Sequence, residues 1–561
     1  MAWGNIPIWP CLQVFSVAMM ESPFNKPDRW MKTRFPYIKI GSSGLAIFVR
    51  FLSGFVVMVT AVPVGRTETT VPSIDQQVIQ VQSKLALIKM DVIHQYQSKD
   101  SVFDRPNRSS IRSAPPGSGE NLQGGETQTD GTGPSQNIVA DLEEIAVLMK
   151  RLETGGDPTS IDEVRLRLAD RLLQADLVSQ AEQTLKELVV QTHRAPIAAE
   201  GWFQLEKLYY RKDDYPQAVG AFLKIPMSKK LPLREEATYL AGNSYLYLKD
   251  YLKAIDLFSR ISEGSEYYPF AVYSSGLAYL NLGDAWSSTQ LQFQKLIALK
   301  PGGDPVLQEL INKTRLTLGF IFMDQKRYSE ALSVFEAIPA QSRYRMQAQF
   351  GIAKAYMGTE DCVKAIVVFK DLIDQAPTQS YALEARLQIG NCYSKLSAYH
   401  RAVDSYQDAL RAYSEQSEGF KKMTQQIQTT NLENWFFKSG TEKTDTGAPF
   451  IILERSLARE PGFPELVNVY TEWSRLNTEM AEDVHRDRNL APRKTERGTM
   501  PDFKPIQIKM QEVREDLVKL LRASATHQLS SQLVQIDELA LRAKVGIAKN
   551  MTFMQDHETV P

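Results

Sequence analysis

The sequence predicts an all-α chain, most of it an α-solenoid of stacked helical hairpins, and three observations predict it. A segment of the form LGFIFMDQKRYSEALSVFEAIP, residues 318–339, recurs along the middle of the chain. Each copy carries a small residue, an aromatic three positions later and an alanine further on, the spacing of helix faces that pack closely. Almost no residue of the kind that does chemistry lies between the copies.

The best copies are easily aligned. GFIFMDQKRYSEALSVF supplies Gly319, Phe322, Tyr328, Ala331 and Phe335, and AGNSYLYLKDYLKAIDLF supplies Gly242, Tyr245, Tyr251, Ala254 and Phe258. IGNCYSKLSAYHRAVDSY gives Gly390, Tyr393, Tyr399, Ala402 and Tyr406, with Ala409 following. LEKLYYRKDDYPQAVGAF keeps Tyr209, Tyr215, Ala218 and Phe222 behind Trp202, with Glu206 in place of the glycine. IAKAYMGTEDCVKAIVVF gives Ala353, Tyr356, Ala365 and Phe369, and Pro377 closes it. Two copies are weaker: one around Ala169 and Ala181, and one where Gly276 and Tyr279 stand in register but Phe293 falls one residue late. Small residues let helix backbones approach, aromatics fill the space between them, and each hairpin covers its open face with the next.

This order of small residue, aromatic, alanine, aromatic and proline resembles the tetratricopeptide repeat of exported, periplasmic type, over about residues 160–413. Helical pairing alone also fits HEAT-like arrays; period and aromatic placement favour the tetratricopeptide pattern. The small-residue anchors are 169, 206, 242, 276, 319, 353 and 390, which makes about seven repeats, with PGGDPVLQE read as an insertion before the fifth. The resemblance implies a curved stack whose first helices line an inner groove, at positions three before the anchor, one after it and four or five after it. Those positions hold Phe203, Tyr210, Tyr239, Asn243, Tyr247, Tyr273, Phe320, Met323 and Phe350. So aromatic a wall is expected to hold a peptide or helix of a partner protein. The lysine clamp that the family uses on C-terminal carboxylates is missing. Glu163, Glu200, Glu236 and Glu384 stand instead near the groove mouth, where first-turn carboxylates suit the helix dipole.

Five regions are expected: 1–66, an export signal or membrane anchor; 73–98, a short heptad helix; 99–137, a disordered linker; 138–430, the solenoid; and 431–561, a C-terminal helical region. Lys32, Arg34 and Lys39 precede the apolar run GLAIFVRFLSGFVVMVTAVPVG at residues 44–65, a charged segment before a hydrophobic one. A cleaved signal and a retained anchor both send the rest out of the cytoplasm, to the periplasm or to the outer face of the inner membrane. Membrane contact would run through residues 44–65, and Met31 would open a conventional signal. Ile74, Val78, Val81, Leu85, Ile88 and Val92 alternate four and three apart, an a/d seam. The Pro/Gly/Ser/Thr-rich stretch after it has too little apolar surface to order itself.

Beyond Asn431 the repeat ends. Leu453, Leu457, Leu466, Val469, Trp473 and Leu476 keep helix spacing. Ile506, Met510, Val513, Leu517 and Leu520 form a second four-three seam, interrupted near ASATHQLSS and resumed by Leu529, Leu533 and Ile536. That implies either two helices or one with a stutter. Residues 74–92 and 506–540 are the two places where a second copy of the chain would pair, unless the seams cover the array.

A net charge of -1 and a pI near 6.7 give no basic field for nucleic acid. Three cysteines and six scattered histidines make no zinc spacing, and no phosphate loop, dinucleotide fingerprint or nucleophile elbow occurs. No catalysis, metal or cofactor is expected. The expected function is a non-catalytic scaffold or adaptor joining proteins in the cell envelope. The alternatives are an accessory part of a polysaccharide or outer-membrane protein export and assembly system, and, third, an enzyme with its site in the C-terminal region.

Overall fold

The computed structural model describes residues 74–97, 138–226, 233–283, 285–377, 379–429, 431–437, 462–489 and 504–558, with a few positions between 453 and 460. The export segment, its start at Met31, the linker and residues 490–503 lie outside the described residues. Every regular element described is a helix.

Two helices, α1 (Ile74–Gln97) and α2 (Ile138–Thr154), precede seven consecutive helix pairs. The pairs are α3 (Pro158–Gln174) with α4 (Val178–Gln191), α5 (Ala195–Arg211) with α6 (Tyr215–Phe222), and α7 (Arg234–Tyr247) with α8 (Tyr251–Ser259). They continue as α9 (Tyr268–Asn281) with α10 (Trp286–Ile297), α11 (Pro305–Asp324) with α12 (Tyr328–Glu336), α13 (Arg345–Gly358) with α14 (Cys362–Gln375), and α15 (Ser380–Lys395) with α16 (Tyr399–Thr429). The short α17 (Leu432–Phe437) and the long α18 (Phe463–Asn489) and α19 (Lys504–Glu558) follow.

One turn is written seven times. Asp176, Asp213, Lys249, Gly283, Lys326, Glu360 and Ser397 all take positive φ, between 54° and 85°, and each stands seven residues after its anchor. In six of the seven the next N–H donates back to the carbonyl five residues earlier, as Asp214 does to Tyr209 at 2.9 Å and Arg327 to Phe322 at 2.8 Å. This left-handed stop ends one helix and aims the chain straight into the next. Asp214, Asp250 and Asp361 then cap the second helices through their side chains, accepting from the N–H groups of Gln217, Lys253 and Lys364. The stretch read as an insertion becomes extra length: α11 has 20 residues where α9 and α13 have 14, and Asp304 caps its new start.

The anchors explain the hairpins. A Cβ built on Gly242 would sit 2.6 Å from the Phe258 ring, one on Gly319 2.4 Å from Phe335, and one on Gly390 2.5 Å from Tyr406. Phe293, one residue late in sequence, reaches the same place over Gly276 at 2.4 Å. The extra residue is absorbed before α10, so the contact survives. Phe335 also lies 2.6 Å from the corresponding position on Gly351 of the following repeat, so one ring occupies the gap between three helices. Ala218, Ala254, Ala331, Ala365 and Ala402 are all fully buried at the second-helix contact.

The two heptad seams find each other. Val78, Val81, Leu85, Ile88 and Val92 of α1 are buried in one core with Ile506, Met510, Val513, Leu517 and Leu520 of α19. Lys84 pairs with Asp516 and Lys509 with Asp91 across them, an antiparallel arrangement. The expectation that these seams pair with a second copy is therefore corrected: both apolar faces are already covered within the chain. Of the two readings of the C-terminal seam, one helix with a stutter holds. Buried Leu517, Leu521, Ala525 and Leu529 step four at a time before Ile536 and Ala543 resume seven-residue spacing. The four-residue steps rotate the buried face, so that the first half of α19 meets α1 and the second half meets α16.

That second half stands where an eighth first helix would. Gly546 lies over Tyr406 at 2.5 Å as Gly351 lies over Phe335, Tyr399 stacks on Phe553 with centroids 5.4 Å apart, and Arg542 pairs with Glu384. A solenoid needs its terminal apolar face covered, and α19 covers it. The same core also takes in Leu168, Leu172 and Ala175 of the first repeat, so the first and last repeats share it. Lys89 of α1, 1% exposed, secures this junction by donating to the Ala175 carbonyl at 2.6 Å and to Glu472 of α18.

Candidate partner-binding face

The nine residues expected to line the groove divide by depth. Phe203, Tyr210, Tyr239, Asn243, Tyr273 and Phe350 are buried, whereas Tyr247, Phe320 and Met323 are half-buried. The cause is a regular contact that the linear pattern does not display. The aromatic three before the anchor packs on the aromatic of its own second helix: Tyr239 with Phe258 at 6.2 Å between centroids, Tyr273 with Phe293 at 5.8 Å, and Phe350 with Phe369 at 5.8 Å. Tyr239 has Tyr267 and Phe270 beside it as well, and burial raises its phenol pKa. These rings pack the first helix of each hairpin on its second.

The positions after the anchor are more open. Tyr247 stacks on Tyr215 of the preceding repeat, with centroids 4.4 Å apart and planes 11° from parallel, while Tyr210 meets that pair edge-on. Phe320 meets Phe335 edge-on at 5.1 Å. Asn243 donates from Nδ2 to its own helix at the Tyr239 carbonyl, 3.1 Å away.

Polar groups that the aromatic reading passed over complete the face. Lys207 of α5 pairs with Glu236 of α7 at 3.2 Å and lies over the Phe203 ring at 5.0 Å. Lys313 of α11 lies 4.8 Å from the Tyr273 ring, and the Tyr273 hydroxyl is 3.4 Å from Thr317 Oγ1. Burial lowers the pKa of Lys354, with Glu384 raising it and Arg542 lowering it further. The signal for Lys207 and Lys354 was present, since both stand one after an anchor, but a search for aromatics ignores them. The mouth glutamates are mostly spent inside the fold: Glu163 on Arg194, Glu236 on Lys207, and Glu384 on Arg542 and Gln388.

Glu206, which replaces the glycine of other repeats, is fully buried, and neither carboxylate oxygen has a partner among the described residues. Burial, followed by the nearby Glu236 charge, pushes its pKa well above the ordinary carboxylate value. Among the described residues no three His, Cys, Asp or Glu side chains are grouped so as to hold a metal ion, and no helix is long and apolar enough to cross a membrane.

An anchor glycine under a second-helix aromatic thus recurs in four of the seven repeats, a buried alanine on the second helix in six and the left-handed stop in all seven. The array is a tetratricopeptide-type solenoid. No family model matches the chain, and no curated protein matches it. Among solved structures, it is similar to a MamA RS-1 double mutant, at 19% identity and a TM-score of 0.27, over 33% of this chain and 96% of that one. It is also similar to the C-terminal part of a tetratricopeptide repeat-containing protein from Cytophaga hutchinsonii, at 14% identity and a TM-score of 0.32, over 49% and 93%. A third likeness is to the apo form of RapI, at 11% identity and a TM-score of 0.32, over 63% and 92%. The assignment of the tetratricopeptide array rests on the chain's own residues and contacts.

Proposed function

We propose that the chain is a non-catalytic scaffold whose inner face holds an extended or helical segment of a partner protein, and that it does so in the cell envelope. The observation that carries this is the placement of Tyr247, Phe320 and Met323, half-buried on the first helices of the third and fifth repeats, with the Lys207–Glu236 pair joining the first helices of the second and third. Side chains with one covered and one open face add contact area at small entropic cost, and the charged pair supplies direction. The charged segment before the apolar run at residues 44–65 supports export.

Two experiments test the reading. Cross-linked envelope proteins are captured with the full chain and with Tyr247→Ala, Phe320→Ala and Met323→Ala. Capture should weaken about tenfold per variant, about 1–2 kcal/mol, with far-UV circular dichroism unchanged. Variants that melt early yet capture the same partners would assign these residues to packing. For export, residues 31–80 fused to a reporter active only outside the cytoplasm should give signal, and a silent fusion removes the envelope from the proposal.

A further inference from the structure

Position nine after the anchor links one repeat to the next. Tyr215 there stacks on Tyr247 of the following repeat, Tyr328 closes on Gly358 of the following repeat, and Tyr399 stacks on Phe553 of α19. In the sixth repeat the position is held by Cys362, the first residue of α14, and the group it meets is Cys392 of α15, within hydrogen-bonding reach. Both are free thiols, 2% and 0% exposed, in one apolar core with Ala365, Phe369 and Ala385. The third cysteine, Cys11, lies in the segment read as signal or anchor.

We infer that Cys362 and Cys392 are a disulfide pair, which ties the sixth repeat to the seventh when the chain folds in an oxidising compartment. The reaction is exchange with a disulfide of the glutathione or dithiol-oxidoreductase class. One protein thiolate attacks that disulfide and releases its first thiol; the second protein thiolate attacks the protein sulfur of the mixed disulfide and releases the other, so that the two reduced thiols carry off the two protons and two electrons. Burial, followed by the neighbouring Cys362, pushes the Cys392 thiol up to about 12. In the finished fold little thiolate exists to react, so closure belongs to folding, before α14 and α15 seal the site. The bond then shortens the unfolded chain's reach at the array's C-terminal end, next to the contact with α19.

The occurrence of the bond in the cell rests on the export reading; the pairing does not, so the test has two arms. The full chain is refolded in a mixture of oxidised and reduced glutathione, alkylated with N-ethylmaleimide and digested with trypsin. Peptides AYMGTEDCVK and LQIGNCYSK should appear joined, about 2 Da below their summed mass, and separate on reduction. Reduction should lower the melting temperature by on the order of 5 °C. Cys362→Ser should melt like the reduced protein whether or not reductant is present. Full alkylation of both cysteines after native refolding, or a link from either to Cys11, would overturn the pairing. In the second arm, chain recovered from cells under acid quench should carry the link; chain that closes in vitro but comes from cells reduced overturns export and leaves the pairing standing.

Discussion

The array and the closing helices are held by different kinds of contact. Within the array, partners are near in sequence, as when Tyr209 bonds Glu182 across 27 residues. Across the closing helices, Lys84 meets Asp516 across 432 residues and Arg514 meets Glu433 across 81. Local contacts let each repeat lean on its neighbours alone, so a weakened repeat opens without dissolving the rest. The closing core unites the first and last described helices, and loosening it releases α1 and α19 together.

The largest expected effects test that contrast directly. Phe335→Ala empties the space between three helices and should cost about 3–5 kcal/mol, with faster hydrogen exchange confined to α11–α13. Leu517→Ala, in the core between α1 and α19, should cost about 2–5 kcal/mol and speed exchange in both of those helices while α11–α13 stay protected. Should each variant speed exchange over the whole chain, array and closing core are one cooperative unit and the contrast fails.

A smaller effect tests the place of α19 as the missing first helix. Gly546→Ala brings a methyl against the Tyr406 ring and should lower stability by about 1–3 kcal/mol, visible as faster exchange in α15, α16 and the end of α19. Unchanged exchange there would mean that α19 only lies alongside.

Smaller still is a pH effect inside the array. Burial raises the Glu182 pKa, but Lys186, Lys212 and Tyr209 outweigh it and hold the carboxyl at about 2. A depressed carboxylate adds stability above its unfolded pKa and loses it as pH falls through the folded one, so the window runs from about 4.5 down to 2. Both lysines are partly exposed, so solvent screening leaves about 1 kcal/mol. Denaturation curves of Glu182→Gln should show that loss at pH 7 and converge with the parent near pH 2; a gap that persists at pH 2 would assign the loss to packing.

The smallest effect belongs to the repeated turn. Lys326 holds a left-handed backbone at φ 59° that glycine adopts without strain, so Lys326→Gly should stabilise by up to about 1 kcal/mol. Gly283→Ala should cost a similar amount. Melting curves that move in the opposite directions would place the turn's strain elsewhere.

The register of the array was legible in the chain alone, because its contacts recur at constant offsets along helices. A glycine followed by a phenylalanine one hairpin later, as Gly319 and Phe335, describes a meeting that needs no distant partner. Even Phe293, off by one, lay near enough for its loop to absorb the difference. The seams were legible as faces but not as pairs, since four-three spacing says that Leu85 and Leu517 want cover and not what covers them. The depth of Tyr239 and Tyr273, the destination of Glu384 on Arg542 and the meeting of Cys362 with Cys392 were likewise decided by the stack. Such contacts depend on which helix arrives beside which, and that is settled only when the distant segments share one core.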